Sequence, residues 1–564
     1  MEVTIPGRGI VRLTNQHFKA RGGEGDIYAK GDLIFKIYID PNRVPPAAKL
    51  RELAVLQHPQ IIIPQSPIFD HSQRLVGFTM QYVRDTEPLC KLFTKAFRQR
   101  EKITPKDSVG LARQLQEIVS FIHRHRVLVV DLNELNFLLR KNELFAIDTN
   151  SYQTPNFPAT AIMPHIADPH CGGKFNEQTD WFSFGIVSFQ MLIGIHPYKG
   201  NHPDFDGIPK DQQLLERMRR NVSVLNRRTA VPSICQPFNV IPNGLLGWYK
   251  AIFDGGKRLA PPADYDGTII ITPLPPRSSP ILGQFVVQKL FSHDAEVIDA
   301  AFASGQRIVR TVKSVFLNDR KICDSGGKAA FLQTATEMFP CLISNCPLSV
   351  MDLRTKTAQE INLRADDILV SEHRLYIRQG THIVQLSLHQ VNNRVIVGNR
   401  VVGRVLDSTE SVQAFTGLIV QNLLGRYYLS LLENDKCFQL GVPELDGYKV
   451  IDAQRSANVV ALVASKSGAY DRFLFVLTEN YSGYTIRKTT DVSYLDANVC
   501  SLPNGLIIIM GDDDKLEISS AKTARVNLVD AGQVAGKRLY SDDMTMMFSA
   551  SDTLFRFSMI KTNV

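Results

Sequence analysis

Apolar and polar residues change rhythm near Pro261, and that change divides the chain. Before it, residues 11 to 39 alternate as three short strands, with the glycine-bearing turn Ala20–Asp26 between the first two. A helix is expected over Ala47–Gln57, stopping at His58-Pro59 because a residue before proline is kept out of the helical region. Further strands are predicted at Pro67–Phe69 and Leu75–Tyr82, and a second helix over Lys106–Arg124 with Leu111, Leu115, Ile118 and Ile122 on one face. From Gly283 onward the helical period is scarce. A short strand, a polar turn and another short strand recur at Asp367–Arg378, Leu418–Leu432, Val459–Leu477, Leu506–Ser519 and Met544–Met559. Repeats spaced roughly 40 to 50 residues apart predict a β-propeller of six or seven blades. A pair of β-sandwiches is the competing architecture, since Trp181 and Trp248 both lie earlier and no blade carries a Trp-Asp dipeptide. The proline-rich stretch Pro273–Pro280 reads as an extended linker within 263–282. The fold class expected is therefore α+β over residues 1–262 and all-β over 283–564.

Chemistry concentrates in the first part. An apolar approach, Val127–Val130, leads into a polar loop with Asp131 and Asn136, then a strand, a Lys-Asn-Glu turn and a second strand that delivers Asp148. Two carboxylates and an amide converging there suit an incoming hydroxyl and a phosphate-bound magnesium, which takes hard oxygen ligands. Glycines at Gly22 and Gly25 let backbone amides approach phosphate oxygens, although a plain hairpin turn needs the same residues. Lys36 stands inside the apolar run Leu33–Tyr38, where a lysine either snorkels outward or meets a buried anion.

This ordered set resembles the protein kinase superfamily: a glycine loop at Gly22 and Gly25 with Ala20 in the first glycine's place, a strand lysine, a helix glutamate at Glu52, and Asp131, Asn136 and Asp148 at family spacing. Asp180–Val187 resembles the buried central helix of the kinase C-lobe, and His196–Gly200 continues the likeness. Arg258 resembles the late arginine that pairs with a glutamate, whose place is held here by Ala167–His170. The style is similar to bacterial eukaryotic-like Ser/Thr kinases associated with tellurium-resistance gene clusters. The resemblance implies a bilobal fold, with an N-lobe over 1–83 and a C-lobe over 84–262, and an enzyme using ATP and Mg. Lys36, held by Glu52, would contact the phosphates, Asn136 and Asp148 would hold the metal, and Asp131 would accept the hydroxyl proton. Gly22, Gly25, Ile27, Ile34, Met80, Gln81, Val83 and Leu138 would surround the nucleotide.

The departures from the family pattern carry their own expectations. Val129-Val130 replace the usual His-Arg, Thr149-Asn150 the usual Phe-Gly, and Asn133 the lysine that contacts the transferred phosphoryl. Without the arginine that clasps a phosphorylated segment, activity is expected to need no activation-segment phosphorylation. A nucleotide-binding pseudokinase scaffold is the alternative. A small-molecule phosphotransferase is third, opposed by Asp180-Trp181 and the His-Pro-Tyr-Lys-Gly stretch.

Composition narrows the remainder. A net charge of +8 over 564 residues, without a Lys/Arg run, gives no reason to expect nucleic acid. Eight cysteines include no Cys-x-x-Cys pair and read as free thiols of a reducing compartment. No apolar run reaches the roughly 18 residues of a membrane helix, and the N-terminus lacks the pattern of a secretion signal. A cytoplasmic location, no membrane, and a protein substrate or partner engaged through the propeller are expected. The Gly511–Asp514 turn lacks ordered calcium-ligand spacing and reads as a solvated blade turn.

Overall fold

The computed structural model describes residues 1–266, 285–334, 337–391, 394–433, 435–520 and 523–559. Most of the expected linker, including Pro273–Pro280, lies outside the described residues.

The chain opens with a seven-stranded antiparallel sheet: β1 (Glu2–Ile5), β2 (Gly9–Arg12), β3 (Phe18–Arg21), β4 (Gly25–Lys30), β5 (Leu33–Tyr38), β6 (Pro67–Phe69) and β7 (Leu75–Gln81), in the order β2-β1-β6-β7-β5-β4-β3. The β1–β2 hairpin extends the sheet beyond the strands expected from 11 to 39, pairing Thr4 with Phe69 of β6. Helix α1 (Ala47–Leu53) ends four residues before the expected Gln57. Leu53 and Leu56 are both fully buried, and a turn from Leu56 N to Leu53 O at 3.0 Å, not a continuing helix, brings them to the same core.

A small sheet of β8 (Glu87–Pro88), β9 (Phe137–Arg140) and β10 (Glu143–Ala146) introduces a helical region. There α2 (Lys95–Glu101) and α3 (Pro105–Arg124) are followed by α4 (Glu177–Ile193), α5 (Lys210–Arg219) and α6 (Asn243–Phe253). Thr104 caps α3 reciprocally with Asp107, satisfying backbone donors at the helix start. Helix α4 is buried on every face from Thr179 to Ile193, its few polar side chains included, and forms the axis of this core.

The rest is β. Among the described residues seven four-stranded antiparallel sheets follow, the first made of Val297–Ala303, Gln306–Thr311, Ser314–Leu317 and Arg320–Asp324. The last holds Arg538–Asp542, Thr545–Ala550 and Thr553–Met559, and its outer strand is Phe285–Ser292 from the beginning of the region. Successive sheets touch, as Lys449–Ser456 touches Val499–Ser501, and Arg538–Asp542 of the last touches Val297–Ala303 of the first, so the neighbours close on themselves. Such a ring is compatible with a β-propeller and unlike the two faced sheets of a sandwich.

The two parts share a core. Ile451, Val463, Tyr470, Val492 and Leu495 pack with the helices around α4. Asp496 accepts the amides of Lys95 and Ala96 at 3.1 and 2.8 Å, capping α2. On the opening sheet, Ser408 donates to Phe18 O at 2.6 Å, and Tyr82 donates to Glu410 at 2.7 Å. The acidic turn after Gly511 is part of this seam and is not merely solvated. Asp512 accepts the amides of Ser493 and Tyr494 and pairs with Lys210, while Asp514 accepts from Ser233.

Candidate functional site

Position in the fold explains why three distant polar residues meet. Strands β9 and β10 form a hairpin with Leu138 opposite Phe145, so the residues at its open end, Asn136 and Asp148, are neighbours. The loop before it is held from beneath by Asp180 of α4. Fully buried, its carboxylate accepts the amides of Val129 and Val130 at 2.8 and 2.9 Å and meets His123 Nε2 at 2.9 Å. Val130 carries a positive φ of 61°, a strained value for a β-branched residue, and these bonds fix it.

Asp131 thereby projects into the site with both oxygens engaged. Oδ1 accepts the Met163 amide at 2.9 Å, and Oδ2 accepts Asn133 Nδ2 at 2.8 Å and Asn136 Nδ2 at 3.3 Å. Burial raises its pKa above the ordinary carboxylate value, with the Met163 and Asn133 donors acting in opposition. A raised pKa suits a carboxylate that accepts a hydroxyl proton. Since Asn136 spends its amide nitrogen on Asp131, its carbonyl oxygen is left as the hard donor.

Lys36, only 6% exposed, reaches across from β5. Its ammonium lies 2.5 Å from Asp148 Oδ1, 3.4 Å from Glu24 and 3.3 Å from Asn150 Oδ1. Burial disfavours its charge, but Asp148, Tyr38 and Glu24 outweigh that and the pKa is raised. Asp148 itself is left-handed, with φ 57°. The two residues after it are anchored: Thr149 donates to Ile62 O at 3.0 Å, and Asn150 donates to Tyr38 at 3.1 Å.

Glu52 does not join this cluster. It faces the surface and accepts from Asn156 Nδ2 at 2.6 Å. On the short α1 the inward position belongs to Lys49, 9% exposed, which feels Glu24 and Asp148 and whose pKa burial lowers. The partner expected of Glu52 is supplied to Lys36 by Glu24, on the glycine turn itself. Spacing alone could not separate Lys49 from Glu52, one helical turn apart.

The expected nucleotide pocket residues do come together. Ile34, Met80 and Val83 are buried in one apolar cluster, against which Ile27 and Leu138 pack, and Gln81 is exposed at the end of β7. Gly22 N donates to Gly25 O at 2.8 Å in a tight turn, and a β-carbon on Gly25 would lie 2.4 Å from Ile37 O. Within the stretch Ala167–His170, expected to face Arg258, Asp168 binds that arginine through two bonds.

No family model matches the chain. Partial similarity to curated protein kinases is found. Over 136 residues the chain is 29% identical to Kinase suppressor of Ras A from Caenorhabditis elegans, covering 20% of this chain and 18% of that protein. Serine/threonine-protein kinase 17A of Oryctolagus cuniculus is 31% identical over 119 residues, 18% of this chain and 28% of the relative. Serine/threonine-protein kinase 1 of Heliothis zea nuclear polyhedrosis virus is 25% identical over 118 residues, 19% and 43% respectively. The chain thus spans between 18% and 43% of the length of these relatives. The similarities support the protein kinase superfamily and a kinase-type function in general terms.

Proposed function

We infer that the chain is an ATP- and Mg-dependent protein kinase that transfers the γ-phosphoryl group to a serine or threonine hydroxyl, with a seven-bladed propeller that recognises the substrate or a partner. The observation that carries this reading is the convergence of Asp131, Asn136 and Asp148 beside the buried ammonium of Lys36. Asp148 and the Asn136 carbonyl are the hard oxygens that fit magnesium, which takes its remaining ligands from phosphates and water. When bound, the ion would neutralise charge on the transferring phosphates. Among the described residues no group of three or more His, Cys, Asp or Glu is arranged to hold a metal alone, in keeping with a site that completes its shell from the nucleotide.

The chain's own residues divide the work. Lys36 holds phosphate oxygens, the apolar cluster around Met80 receives the base, and Asp131 orients the acceptor hydroxyl and takes its proton. Among the described residues no helix is long and apolar enough to cross a membrane, and action in the cytoplasm is part of the proposal.

A nucleotide-binding pseudokinase scaffold is the second reading, favoured by Glu52 turning away from Lys36 and by Asn133 in the place of a cationic residue. Labelled-phosphate transfer from ATP and magnesium decides between them, comparing the intact chain with Asp131→Ala. Transfer lost in the variant supports the kinase. No transfer by the intact chain, with nucleotide still raising its melting temperature, supports the scaffold.

A further inference from the structure

Between Asp131 and Asn136 lies Glu134, whose carboxylate is fully buried. Its two oxygens have different partners. Tyr470, on the β strand Ala469–Leu477 of the C-terminal region, donates its hydroxyl to Oε1, and His165 Nε2 lies 3.3 Å from Oε2. Burial would raise the Glu134 pKa, but His165 and Tyr470 together hold it below the ordinary range, so the carboxylate stays ionised. The turn before Tyr470 presses on the same histidine. Gly468 has φ 80°, and a β-carbon there would lie 2.1 Å from His165 Nδ1. Two residues before His165 is Met163, whose amide holds Asp131 Oδ1.

Resting on the kinase reading above, we propose that the C-terminal β region is a built-in activator, and that Tyr470 is a positioning residue. Through Glu134 and His165 it sets both the turn Glu134–Asn136 and the segment Met163–His165 around Asp131. The sequence lacks the arginine before Asp131 that would clasp a phosphorylated segment, having Val130 there. The Tyr470 hydroxyl and Gly468 turn do that clasping without a modification. A buried hydroxyl bound to a carboxylate is a strong tie, since loss of one partner leaves a desolvated charge.

The test uses the full chain and Tyr470→Phe, with Glu134→Gln as a second variant that keeps shape and an acceptor for Tyr470. Amide hydrogen exchange over residues 160–167 is expected to speed up about tenfold in Tyr470→Phe, a loss of protection of the size of one such bond. In the transfer assay kcat is expected to fall about tenfold while KM for ATP stays unchanged, since Lys36 and the base pocket are not touched. Glu134→Gln should fall between. An active intact chain whose Tyr470→Phe variant keeps or raises kcat overturns the proposal, and so does unchanged exchange over 160–167. An intact chain that transfers no phosphate defeats the kinase reading and the activator role with it, while the exchange result still decides whether Tyr470 orders the segment.

Discussion

Arg258 grips Asp168 with two parallel hydrogen bonds, Nε to Oδ2 at 2.6 Å and Nη2 to Oδ1 at 2.7 Å, and its guanidinium lies 4.4 Å from the centre of the Phe182 ring. This fork ties the loop after α6 to the end of the segment that covers Asp131. Both side chains are largely buried, so removing the acid strands a desolvated cation. Asp168→Ala is expected to lower stability by about 3 kcal/mol, as breaking one side of a buried pair does. Urea unfolding checks it, and Asp168→Glu, which keeps a carboxylate for Arg258, should recover at least half.

The arrangement around Lys36 separates two substitutions that the family pattern would treat alike. Lys36→Met removes a buried ammonium facing Asp148 and Glu24 and should reduce kcat/KM about a hundredfold. Glu52→Gln alters contacts to Thr154 and Asn156, away from Lys36, and should cost less than about fivefold. Equal losses in steady-state transfer would mean that Glu52 swings inward to Lys36 during turnover.

Hydroxyls in the segment after Asp148 are mostly enclosed. Thr149, Tyr152 and Thr154 are buried, Ser151 bonds to Asp148 O at 2.8 Å, and Thr160 is exposed. A segment held by Asp131, Glu134 and Tyr470 leaves nothing for a phosphate on Thr160 to order. Thr160→Ala should therefore retain transfer within about twofold, a change inside the usual range for a surface substitution. A tenfold loss would show that modification of Thr160 is needed.

How much of this is legible in the sequence depends on distance along the chain. Asp131, Asn136 and Asp148 sit on one loop and hairpin, so spacing alone places them together, and the apolar runs around Ile34 and Met80 lie on paired strands. Glu52 failed because α1 is only two turns long and its phase is set by burying Leu53, which turns Lys49 inward. No local pattern announces Glu134 and Tyr470, which lie 336 residues apart; only packing of the β region against α4 brings them into contact. The repeat spacing pointed to recurrent short antiparallel strands compatible with a propeller. It could not show that Phe285–Ser292 would complete the last sheet, because that pairing joins the two ends of the region.

The seam between the two parts also carries a pH signature. Asp452, on the strand Lys449–Ser456, has its pKa pushed up to about 6 by burial and by Asp496, against the Ala497 amide and Arg538 that favour its charge. Its folded value lies above the ordinary 3.8, so the folded state binds the proton more tightly than the unfolded chain. Stability from this group is therefore greatest in acid and is lost as pH rises from about 4 through about 6, the reverse of an ordinary salt-bridged carboxylate. Asp452→Asn fixes the uncharged form and keeps an oxygen for the Ala497 amide, which Asp452 Oδ2 accepts at 2.8 Å. The variant should be more stable than the natural chain by about 3 kcal/mol at pH 7, with the gap shrinking to about half a kcal/mol near pH 4. Urea midpoints measured from pH 4 to 7 test this, and a gap that stays constant across the range would show that Asp452 is not the titrating group.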